Sequence, residues 1–287
     1  ENLAKRKDLK DWGGLGLAIQ AYGKRAPVVV KFVDQLGSDR NGMMMRLVKG
    51  AYWDQEVKIH QVKGAEDLPV FTSKSFTDLN YLATAKVISE RKNLRPYFAT
   101  HNAHTIAGIM ELYKGREEEF EFQRIFGMGD LTYRNTEKVY DNFPLTRVYA
   151  PVGSKKELLP YLVRRLLENG ANSSFVNKYL SKDIPVKDVV KNPIEIATKN
   201  LSGKNYLKQV PRPKSIFSDR ENSIGFDFGD LMKIEELNKK IESFRIISSY
   251  LCLCLSSPSS SNIKWHIQPL LAPSLPLSGT FNLYVAQ

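Results

Sequence analysis

Polar, aromatic and cationic residues recur where apolar, strand-like runs of this sequence end. The run over 43–49 carries Arg46 and leads into Gly50-Ala51-Tyr52-Trp53-Asp54. The run over 95–100 leads into His101 and Asn102, with His104 close behind. The runs over 120–126 and 147–150 contribute Gln123 and Tyr149. In parallel βα folds a site assembles at the carboxyl ends of the strands, so these four ends describe one mouth.

Its residue types narrow the chemistry. Asp54 and Asp130 are the main acidic residues near strand ends, which argues against hydrolysis by paired carboxylates. His101 and His104 stand three apart without an evident further ligand, whereas zinc sites supply three or four. Cys252 and Cys254 are the only cysteines; they lie in the tail and match neither a disulfide framework nor a zinc spacing. No serine sits in a nucleophile elbow. Without an evident metal set or nucleophile an organic cofactor becomes more attractive, and the cationic, amide-rich lining suits a phosphorylated aromatic cofactor with an anionic substrate.

One predicted helix poses a choice. Ser154 and Glu157 form an S-x-x-E capping box, and Gly170 marks the far end. At helical spacing Leu158, Leu159, Leu162, Val163, Leu166 and Leu167 share one face, opposite Tyr161, Arg164, Arg165 and Glu168. Pro160 is expected to bend the first turns. Either the charged face is solvated, with an i, i+4 pair, or it points into the mouth, where two guanidinium groups could clamp a carboxylate.

Residues 1–180 alternate strand-like runs with amphipathic stretches, the pattern of a parallel sheet or barrel. Helices are predicted over 27–37, 76–92, 105–114 and 133–141, with Pro27 tolerated at a first helical position. The stretch between residue 49 and the second helix reads as a loop. Residues 181–230 read as a proline- and lysine-rich linker with one short helix, and 231–245 as a short charged helix. Residues 246–287 hold Lys264 as their sole Lys, Arg, Asp or Glu; this tail has no secondary-structure periodicity and resembles translation in a shifted frame. There is no internal repeat.

The chain has 287 residues, 42% hydrophobic and 25% charged, ordinary for a globular domain with an appendage. The net charge of +11 comes from dispersed lysines rather than an arginine-rich stripe, so a nucleic-acid partner is not expected. No apolar run approaches the roughly 18 residues that cross a bilayer, and no leader is visible after Glu1. A reducing, cytoplasmic setting is expected.

The strings RLVKGAYWD (46–54), FATHNAHT (98–105), YAPVG (149–153) and YLVRRLLENGANSSFVN (161–177) resemble the proline dehydrogenase domain of the bifunctional proline utilization A family. The resemblance covers about residues 10–180, and RENSIGFDFGD (220–230) looks like that family's lead into an aldehyde dehydrogenase domain. It implies an incomplete (βα)8, TIM-type barrel holding only the C-terminal βα units, followed by an irregular linker and tail. It implies FAD-dependent oxidation of L-proline to pyrroline-5-carboxylate, with hydride passing to the flavin N5.

By the same resemblance Arg46 lies near that N5. Gln20, Val48, Gly50, Ala51 and Trp53 fall where the family surrounds FAD. So do Thr72, Lys74, Thr100, His101 and Asn102, and also Gln123, Glu168 and Phe175. Tyr52 and Tyr149 match tyrosines that pack on proline, and Arg164 with Arg165 match the carboxylate clamp. No metal is implied, and NAD belongs only to the aldehyde dehydrogenase domain, which this sequence lacks. The family's first βα units, with a substrate-contacting lysine and aspartate, have no counterpart here, so impaired activity is expected unless a companion chain supplies them. The family passes electrons to membrane quinone, implying a peripheral encounter with the inner face of the membrane.

Overall fold

In the computed structural model, residues 2–170, 192–203 and 210–255 are described, with 168–170 and 245–255 as backbone only. Five parallel strands form one sheet in chain order: β1 (Gly16–Gln20), β2 (Met43–Val48), β3 (Leu94–Ala99), β4 (Glu121–Ile125) and β5 (Thr146–Tyr149). Between them run α1 (Ala26–Ser38), α2 (Trp53–Val62), α3 (Lys74–Ser89), α4 (Ala103–Leu112) and α5 (Asp130–Glu137). Then come α6 (Lys155–Gly170) and α7 (Pro193–Ser202). Each strand pairs with its sequence neighbour, which is the progression of a (βα)8 barrel wall. Among the described residues nothing pairs with the outer edge of β1 or β5, so the sheet is open.

Strand alternation divides the sheet into two environments. Met43, Met45 and Leu47 of β2 are buried, as are Phe98 of β3 and Phe122 of β4. They pack with Val30 and Val33 of α1, Tyr81 and Ile88 of α3, and Ile106 and Ile109 of α4. The residues between them (Arg46, Tyr97, Ala99, Gln123, Arg147 and Tyr149) face the other side, which no described helix covers. The Tyr81 hydroxyl reaches the Leu47 carbonyl at 3.2 Å, tying α3 to the back of β2.

Three local expectations are corrected. The sequence suggested four strands; β1 is a fifth, of five residues. The segment after β2 is not all loop, because Trp53–Val62 forms α2. The fifth helix starts at Asp130 rather than 133, because Gly129, at φ 75°, turns the chain directly into it.

The described residues form two compact units, one through Asn222 and one from Ser223. The second contains α8 (Leu231–Leu255), which runs ten residues beyond the expected end at 245. No Gly or Pro interrupts residues 231–255, so no helix breaker acts before Pro258. No described helix is long and apolar enough to cross a membrane.

The Phe98 ring is fully buried and meets Tyr113 at 5.6 Å and Phe120 at 5.5 Å between centroids, both edge-on. Truncating such a core aromatic removes its transfer free energy and leaves a cavity. Phe98→Ala is expected to lower stability by about 3–5 kcal/mol, measured by urea unfolding of the full chain.

Candidate active site

Arg46 projects from β2 across the open face of the sheet. Its Nε donates to Gln123 Oε1 at 2.8 Å and a terminal nitrogen donates to the Tyr149 hydroxyl at 2.7 Å. Strand β3 lies between them, with Ala99 in register with Gln123. Gln123 Nε2 in turn donates to Glu121 Oε1 at 2.8 Å. Arg147 grips the same carboxylate with two bonds of 2.8 and 2.9 Å. The network thus starts on β5 at Arg147, crosses to β4 and β2, and returns to β5 at Tyr149.

The loop after β2 forms the next wall. Gly50 adopts φ 124°, and a Cβ there would lie 1.8 Å from the Tyr22 ring. No side chain fits that gap. Trp53 opens α2 and donates its indole N–H to the Phe71 carbonyl at 2.7 Å, packing on Tyr22, Val57, Leu68 and Val70. Gln20, the last residue of β1, accepts from the Ala51 amide at 3.4 Å. Val48 is half-buried in register beside Gln20, whereas Ala51 is exposed. Thr72 is half-buried just before α3, and Lys74 is exposed in its first turn. Lys49 pairs with Asp78 of α3.

At the end of β3, Thr100 is buried and its carbonyl accepts from the Tyr133 hydroxyl at 2.8 Å. Asn102 caps α4, accepting from the Thr105 amide at 3.1 Å. His101 between them packs against Gly129, where a Cβ would meet its ring at 2.8 Å. Its Nε2 is buried with no hydrogen-bond partner among the described residues. Burial, with the nearby charges of Arg165, Arg124 and Arg46, pulls its pKa down to about 4. The imidazole is therefore neutral at ordinary pH. Among the described residues no group of three potential metal ligands converges here or elsewhere.

The orientation of α6 settles the choice its periodicity left open. Leu159, Leu162, Val163, Leu166 and Leu167 are 58, 45, 44, 70 and 69% exposed. Tyr161, Arg164 and Arg165 are half-buried, as is Leu158 in the first turn. The Arg164 guanidinium sits 5.0 Å from the centroid of the Tyr52 ring, and Arg165 is close enough to bear on His101. The charged face therefore turns toward the strand ends and the apolar face outward. Half of the expected capping box forms: Glu157 Oε2 accepts from the Ser154 amide at 3.0 Å and from its hydroxyl at 2.7 Å, while the Glu157 amide donates to the Ser154 carbonyl at 3.0 Å. The side chain of Glu168 and the whole of Phe175 lie outside the described residues.

An in-order parallel βα wall with its polar side chains gathered at the strand ends defines an α/β protein of the (βα)8-barrel type. The model of the family described as proline dehydrogenase matches residues 1–178, and the chain belongs to that family. The Bifunctional protein PutA of Salmonella typhimurium is 42% identical over 259 residues, 85% of this chain and 19% of its own. The mitochondrial Proline dehydrogenase 1 of Dictyostelium discoideum is 31% identical over 153 residues, 48% of this chain and 26% of its own. A crystal structure of Bradyrhizobium japonicum Proline Utilization A superposes with a TM-score of 0.74 at 43% identity, covering 84% of this chain and 25% of that one. The chain thus spans about a fifth to a quarter of the length of these relatives.

Membership implies a flavin cofactor. The residues present fit one: the nitrogens of His101 Nε2 and Arg164 Nε are buried without a hydrogen-bond partner among the described residues, at a mouth lined by guanidinium groups. Spacing alone missed Glu121, Arg147 and Tyr22. For the first two the available signal was charge at alternate positions of predicted strands.

His101 is depressed relative to its unfolded value near 6.5, so the unfolded chain binds the proton more readily. Its contribution to stability is present above about pH 6.5 and is lost as pH falls toward 4, by at most about 1.4 kcal/mol per pH unit. The ring resonances of His101 are expected not to titrate between pH 5 and 8 by NMR.

Proposed function

We propose that this chain supplies the flavin-facing and substrate-clamping wall of an enzyme that oxidises L-proline to pyrroline-5-carboxylate. The observation that carries the reading is the inverted burial of α6. Arginines are turned from water and leucines are turned toward it, an arrangement that is costly unless the cations serve a bound anion.

FAD would lie across the ends of β2, β3 and β4, held by Arg46, Gln123, the Gly50 loop and the strand-three end from Thr100 to Asn102. When bound it would supply the two-electron oxidant for converting the proline ring C–N bond to C=N, with a hydride leaving carbon and a proton leaving the ring nitrogen. Arg164 and Arg165 clamp the substrate carboxylate, for which a pair of planar, always-charged donors is suited. Tyr52 packs under Arg164 and Tyr149 is fixed by Arg46, which would hold both rings at the mouth for packing on the substrate. Neutral His101 lines the site without adding charge. Gln20, Val48, Ala51, Trp53, Thr72, Lys74, Glu168 and Phe175 complete the cofactor's surroundings.

The open edges of β1 and β5 support a further part of this reading: the wall works when other strands close the barrel, supplied by a companion polypeptide or further sequence. The electrons then pass to membrane quinone, with the protein cytoplasmic and meeting the membrane peripherally.

The test is a flavin spectrum and proline-dependent dye reduction, measured on the full chain with and without the family's upstream barrel segment added. A folded, soluble sample that shows neither under both conditions would overturn the reading. Where activity is restored, Arg164→Lys and Arg165→Lys are each expected to raise KM for proline by about tenfold or more, because an ammonium cannot reproduce a bidentate grip.

A further inference from the structure

Gln123 stands between two groups of opposite and fixed character. An ionised carboxylate only accepts hydrogen bonds and a guanidinium only donates them. Placed between Glu121 and Arg46, the Gln123 amide has one satisfactory orientation, NH2 toward Glu121 and oxygen toward Arg46, and that orientation has bonds of 2.8 Å on both sides. Without an obligate acceptor at 121 the amide could turn over and present its NH2 to Arg46, donor against donor.

Glu121 is itself firmly held. It is only 6% exposed although charged, and both its oxygens are gripped by Arg147. A buried carboxylate with three charge-assisted or amide bonds has little rotamer freedom. It lies in the first residue of β4, two residues below Gln123 on the same face, away from the strand ends where the mouth opens. It therefore touches neither cofactor nor substrate directly, and would act through Gln123.

We propose that Glu121 is a positioning residue: by fixing the amide of Gln123 it fixes the Arg46 guanidinium, and with it the Tyr149 hydroxyl, in the geometry the flavin site requires. Only its consequence for the cofactor rests on the flavin reading above; the positioning itself is a property of the chain.

The experiment therefore has two arms on the full chain. In the first, without added flavin, the Arg46 Nε–H resonance is followed by 15N NMR, assigned by its loss in Arg46→Lys. Wild-type protein is expected to show it as a slowly exchanging, hydrogen-bonded signal. Glu121→Gln is expected to abolish it, whereas Glu121→Asp, which keeps an obligate acceptor, retains it at reduced protection. An unchanged signal in Glu121→Gln would overturn the proposal; if that variant does not fold, an unchanged, fully protected signal in Glu121→Asp does so. In the second arm FAD affinity is measured by quenching of flavin fluorescence, and Glu121→Gln is expected to weaken it by about tenfold, the equivalent of one lost strong bond. Failure of wild-type protein to bind FAD counts against the functional reading and leaves the first arm to decide the role of Glu121.

Discussion

The mouth depends on a guanidinium that crosses the sheet. Arg46 begins on β2 yet is satisfied on β4 and β5, so three strands are cross-linked by one side chain on their open face. The main-chain ladder fixes strand spacing but not which polar side chains meet. That is decided by register: Arg46 pairs with Tyr97, and Ala99 with Gln123, so the arginine reaches its β4 partner diagonally across β3.

The two faces of the sheet are stabilised by different means. Behind it, Phe98, Phe120, Phe122, Tyr113 and Tyr133 interlock with edge-on ring contacts, and burial of apolar area supplies the stabilisation. In front of it charge and hydrogen bonding dominate, where an unpaired group is costly and a satisfied one is rigid. The dry layer thus carries the wall, and the polar layer can be shaped by the needs of a ligand. This division explains why the glycines that matter sit at the boundary. Gly50 lets the β2 loop pass against Tyr22, and Gly129 lets the β4 loop pass against His101.

Much of this was legible beforehand because strands buried against helices announce themselves. Met43–Val48 is a continuous apolar run broken only by Arg46, and that break marks the site. β1 escaped notice because it is five residues long, opens on Gly16 and has Ile19 as its single β-branched residue, so its strand signature is weak. α2 escaped because its sequence is largely polar and its amphipathic pattern weak. The network through Glu121 escaped because pairing across strands depends on register, which no local pattern reveals. The named motifs found Arg46, Gln123 and Tyr149 one by one; only the fold shows that they touch.

The last helix shows why periodicity has a limit. Spacing correctly sorts α6 into two faces, and the ordinary rule sends the leucines inward. Here Arg164 and Arg165 are drawn toward the strand ends, with Arg164 over the face of Tyr52. The attraction between a cation and one aromatic face is worth about 0.5–2 kcal/mol, while exposing five aliphatic side chains forgoes several times that. The observed orientation is therefore not the minimum that α6 would choose on the apolar ledger alone. It becomes favourable when an anion meets the two guanidinium groups and another surface covers the leucines. The placement of α6 thus answers to charge at the strand ends rather than to burial of its leucines.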